Sequence, residues 1–100
     1  MLILRAINSI PSRIVRIEVD FDELRQYIKR VFEEEFGEGI VVDVEARKPG
    51  PNPIGVTVYV QEKKDGMWDL CLDIADAFRN QGIQVGIHTE LAKEVLNEVQ

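Results

Sequence analysis

Between Gly39 and Glu62 two runs of alternating valines flank three prolines: GIVVDVEARKPGPNPIGVTVYVQE. Val42, Val44 and Ala46 alternate with Asp43, Glu45 and Arg47; Val56, Val58 and Val60 alternate with Thr57, Tyr59 and Gln61. Successive side chains of a strand point to opposite faces, so this pattern demands a sheet with one buried face. Pro49, Pro51 and Pro53 cannot donate to a ladder, so pairing lapses between the two strands and a hairpin forms. Val44 and Val60 must share the core face, and a one-residue slip would turn one strand's valines outward. The expected register sets Asp43 opposite Gln61, Glu45 opposite Tyr59 and Arg47 opposite Thr57.

The period changes on either side of this hairpin. Phe21, Leu24, Ile28, Val31, Phe32 and Phe36 recur at steps of three and four, which predicts a helix from Phe21 to about Phe36. Asp20 stands at its N-cap position with Glu23 three residues on, and Gly37 and Gly39 stop it. Glu33, Glu34 and Glu35 crowd its last turn against the helix dipole, so packing has to hold it. A second helix is predicted over Met67–Asn80, capped by Asp65 or Gly66, with Met67, Cys71, Ile74, Ala75 and Phe78 inward, a stripe widened by Leu70 and Leu72, and Trp68 as an anchor at the core edge.

Three further segments complete the chain. Ile14–Val19 alternates and reads as a first strand; Ile83, Val85 and Ile87 give a last one; Thr89 is placed as the cap of a C-terminal helix, residues 89–100. Residues 1–12 form an N-terminal extension with a strand-like segment. The order strand, helix, strand, strand, helix, strand predicts one α+β domain over residues 1–100. Its form is a two-layer ferredoxin-like β-α-β-β-α-β sandwich, an antiparallel sheet of order 4-1-3-2 with both long helices on one face. The inward face would carry Val15, Ile17, Val19, Val42, Val44, Val56, Val58, Val60, Val85 and Ile87, all β-branched.

Composition narrows function mainly by exclusion. A formal charge of −6 over 100 residues argues against a nucleic-acid partner, and no apolar run reaches the roughly 20 residues of a membrane span. The N-terminus lacks a small-residue cleavage site, and Cys71 is the single cysteine, so no internal disulfide forms; the expected compartment is cytoplasmic. No phosphate-binding loop, dinucleotide fingerprint, metalloprotease helix or nucleophile elbow occurs, and no cofactor or metal is implied. Tyr59 is the one sheet aromatic that could stack a base, and Glu18, Asp43 and Glu45 beside it would repel phosphates.

One constellation arises from the expected order. The first and third strands are taken as parallel, with the second and fourth running against them. The hairpin loop, the start of the first strand and the end of the fourth then share a sheet edge. That edge gathers Arg13, Arg16, Arg47, Lys48 and His88, a candidate anion site. Leu2, Ile3, Leu4 and Tyr59 are candidate interface residues. The leading expectation is a small non-enzymatic binding and assembly module, a homo-oligomer and most simply a dimer, joined through its sheet edge or open sheet face. A regulatory domain for a small anionic ligand is second; an enzyme using His88 and a weak single-strand nucleic-acid binder follow.

Overall fold

A computed structural model describes residues 19–48 and 53–92 of the chain. In order these form α1 (Phe21–Phe36), β1 (Val41–Arg47), β2 (Ile54–Val60), α2 (Met67–Asn80) and β3 (Val85–Leu91). Both helices fall within the boundaries their periodicity predicts. The Asp20 carboxylate accepts the backbone N–H groups of Asp22 and Glu23 at 3.0 and 3.1 Å, satisfying donors that a helix start otherwise leaves unpaired. At the other end of α1 the left-handed Gly37 (φ 116°) turns the chain, and the Glu33 carboxylate accepts the Gly39 N–H at 2.9 Å. The last turn of α1 holds no base of its own; Lys64, from the loop before α2, donates to the Phe36 carbonyl at 3.3 Å and supplies positive charge there.

Among the described residues the sheet has three strands in the order β1-β2-β3. β1 and β2 form the expected antiparallel hairpin. β3 pairs with β2 directly and in parallel, Ile54 opposite Val85 through Val60 opposite Leu91. This overturns the ferredoxin-like arrangement, because β3 occupies the place beside β2 that the order 4-1-3-2 assigns to the first strand. It also runs with β2, which corrects the expectation that the fourth strand runs against the third: a helical crossover makes the strands it joins parallel, in a ferredoxin-like sheet as here. The reason lies in the crossover: α2 carries the chain back along the sheet, and the next strand closes a β-α-β unit at the adjacent position. Alternation of Val85 and Ile87 specifies a buried face, and it is the same whichever neighbour the strand takes. Of the proposed strand at Ile14–Val19 only Val19 is described, and it is not in a strand; the extension at residues 1–12 and most of the segment expected as a C-terminal helix lie outside the described residues. Thr89 and Glu90 are not the start of that helix: Thr89, Glu90 and Leu91 pair with Val58, Tyr59 and Val60 within β3.

The hairpin register differs from expectation by two residues. Asp43 faces Tyr59, Val44 faces Val58, Glu45 faces Thr57, and Arg47 faces Gly55. The parity holds, and Val44 and Val60 share the buried face. A bulge between Val41 and Asp43 changes the faces of the first residues. Val41, not Val42, points inward, and Val42 is left 54% exposed.

The core lies between one sheet face and both helices. Leu24, Tyr27, Ile28, Val31 and Phe32 of α1, and Met67, Leu70, Cys71, Ile74 and Phe78 of α2, close over Val44, Ile54, Val56, Val58, Val60, Val85 and Ile87. Val58, on the central strand, is 0% exposed. No charged or polar residue is buried among the described ones. None of the described helices is long and apolar enough to cross a membrane.

Candidate functional site

The face of the sheet turned away from α1 and α2 is laid out by the two registers as rows across three strands. Asp43, Tyr59 and Glu90 form one row; Glu45, Thr57 and His88 the next; Arg47, Gly55 and Gly86 the third. Alternation in β2 places Gly55, Thr57 and Tyr59 half-buried along the middle, with their partners on β1 and β3 exposed. Directly opposed side chains in a sheet stand about 5 Å apart at Cβ, so each row is a contact unit.

Tyr59 is the focus of this surface. Partial burial, then the carboxylates of Glu45, Glu90 and Asp43, push its phenol above the ordinary range, with a hydrogen bond to Glu45 adding to the effect. Three acids from two flanking strands thus converge on one aromatic ring. His88 lies beside them, its Nε2 3.4 Å from Thr57 Oγ1 and 3.3 Å from Glu90 Oε1. Toward the hairpin loop the surface falls away. A side chain added at Gly86 would meet nothing within 4 Å, and one at Gly55 only the Arg47 carbonyl at 3.9 Å.

Of the five residues proposed as a basic edge, Arg13 and Arg16 lie outside the described residues. Arg47 ends β1 with Lys48 next to it, while His88 sits on the far edge strand, one row along. Strand spacing separates Arg47 from His88 by roughly 12 Å at Cα. His88 is therefore partnered by Thr57 and Glu90 rather than by a cation. Of the interface candidates, Leu2, Ile3 and Leu4 also lie outside the described residues, and Tyr59 stands at the centre of the sheet face. Glu90 was missed in the sequence because it was assigned to a helix; its place beside Tyr59 follows only from the parallel pairing. The Gly55–Gly86 pair was missed for the same reason.

Two other surfaces stand out. A wide depression of about 400 Å³ runs along the outer flank of α1, lined by Gln26, Lys29, Arg30, Glu33, Glu34 and Glu38, two bases among three acids. On α2, Trp68 is 62% exposed and Leu72 45%, so Trp68 is not the core-edge anchor its sequence position suggests, and Leu72, unlike Leu70, does not widen the buried stripe. Among the described residues no three His, Cys, Asp or Glu side chains converge in a way that could hold a metal ion. No family model matches the chain, and neither a curated protein nor a solved structure shows significant similarity to it.

Proposed function

We propose that the chain is a small non-enzymatic binding and assembly module whose exposed sheet face holds a cationic segment of a partner. The observation that carries this reading is Tyr59 set between Asp43 and Glu90, with Glu45 on the diagonal. An ammonium or guanidinium group over the ring gains roughly 0.5–1 kcal/mol from the aromatic face. Each exposed carboxylate adds about 0.2–1 kcal/mol. Together these contacts reach about 4 kcal/mol at most, a weak, salt-sensitive complex that is millimolar or weaker. A dimer closed through this same face is the poorer arrangement, since a two-fold axis would set Asp43, Glu45 and Glu90 against the acids of their copies. The single Cys71 and the acidic composition fit a cytoplasmic location as part of this proposal.

The test is NMR titration with a short lysine- and arginine-rich peptide. Shifts should gather on Asp43, Glu45, Tyr59 and Glu90, and Tyr59→Ala together with Glu90→Lys should abolish them. Scattered shifts would remove the reading. A second reading, a small anion at the corner made by Arg47 and Lys48, draws on the open space over Gly55 and Gly86. It predicts shifts at Arg47, Gly55 and Gly86 on adding phosphate, and none with the peptide.

A further inference from the structure

We propose that the outer flank of α2 bearing Trp68 and Leu72 is a docking surface for a basic amphipathic helix of a partner protein. An exposed tryptophan is the less common state of that residue, and here a second large apolar side chain stands one turn from it. At about 100° per residue, Trp68, Leu72, Ala75 and Arg79 fall on one strip beside the buried stripe of Met67, Leu70, Cys71, Ile74 and Phe78. The strip is therefore not surplus core. Its spacing of i, i+4, i+7 and i+11 is the seam along which a second helix packs. Tryptophan is also among the residues enriched at binding hot spots.

Charge selects the partner. Asp69, Asp73 and Asp76 lie on the solvent side of the strip, and Asp65 precedes the helix. Asp76 pairs with Arg79, whereas Asp65, Asp69 and Asp73 have no ion pair with another described residue. A helix with leucine-like residues against Trp68 and Leu72, and lysine or arginine along one border, would meet those aspartates. A second copy of this chain would bring its own aspartates instead. This surface lies on the helical layer, opposite the sheet face that carries Tyr59, so the two proposals stand or fall separately.

Trp68 is the single tryptophan of the chain, which makes its fluorescence a direct reporter. The full chain is titrated with an 18-residue peptide of leucine and lysine patterned as an amphipathic helix, and with the same pattern carrying glutamate for lysine. The expected result is a saturable blue shift of Trp68 emission with the lysine peptide alone, weakening as salt rises. Leu72→Asp should reduce the affinity read at Trp68 at least about tenfold, as should Asp69→Lys with Asp73→Lys. Leu72→Ser, which adds no charge, serves if the aspartate variant fails to fold by circular dichroism. The proposal is overturned by an unshifted emission, by equal binding of the glutamate peptide, or by affinity indifferent to Leu72. A blue shift that grows with protein concentration in the absence of peptide would overturn it in favour of a second copy.

Discussion

Tyr27 of α1 and Phe78 of α2 meet edge to face, their ring centroids 5.9 Å apart and their planes at 88°. This pair ties the two helices to each other as well as to the sheet, and the Arg30 guanidinium lies over the Tyr27 ring, 5.6 Å from its centroid. Both rings are almost wholly enclosed. Phe78→Ala should lose about 3–5 kcal/mol, through lost burial and the cavity left behind, against a total stability of roughly 5–15 kcal/mol. Urea unfolding measures it; a loss below about 1 kcal/mol would mean the helices do not meet here.

Burial also gives the fold an alkaline limit. It raises the Tyr27 phenol from 10.0 to about 12 and the Cys71 thiol from 9.0 to about 11. Both groups are neutral when protonated and the fold favours that form. Their contribution is complete below about pH 9, and disappears as pH rises through 9–11 for Cys71 and 10–12 for Tyr27. Each is on the order of 2 kcal/mol. Denaturant midpoints should hold to pH 9 and fall steeply by pH 11, with Cys71→Ala removing the earlier part of the decline. A thiol reagent at pH 8 should react with Cys71 only on unfolding; reaction within seconds in the native state would contradict its placement.

Val58 sits beneath both helices with paired strands on either side. Val58→Asp puts a charge where no partner can reach it, at several kcal/mol. The variant should show no cooperative unfolding transition by circular dichroism; melting near the wild-type temperature would disprove the placement.

Alanine weakens the two helix starts for different reasons. Asp20→Ala removes a side-chain cap and should lose about 1 kcal/mol. Gly66 caps α2 with no side-chain bond but with φ at 93°, so Gly66→Ala should lose about 1–2 kcal/mol through backbone strain. Asn at position 66 should recover most of that loss, whereas Ser at position 20 should recover the other. Melting temperatures of the four variants check both assignments.

The helices were legible because their signals are local: Asp20, Gly37 and the stripe from Phe21 to Phe36 all act within one or two turns. The hairpin's parity was legible too, from Val44 and Val60. What escaped was every relation set by distant neighbours. No local preference distinguishes a parallel partner from an antiparallel one, so Val85 and Ile87 could not announce β2 as their neighbour. Thr89 and Glu90 suit a helix start equally well, and pairing with Val58 and Tyr59 decides otherwise. The candidate site inherits this: Asp43 and Tyr59 are separated by one hairpin, whereas Glu90 and His88 join them only through the crossover. Trp68 escaped for a different reason, since apolarity predicts burial on average and says nothing of a side chain that serves an outside surface.

The bulge at Val42 has a consequence for chain length. Val41 pairs with Val60 and Asp43 with Tyr59, so β1 carries one residue more than its ladder uses. Excising Val42 would leave Val41, Asp43 and Val44 in plain alternation, with the same rungs and the same inward side chains. The hairpin is thus a place where a one-residue deletion is neutral to the core, and where the extra residue acts only on the outline of the sheet's edge.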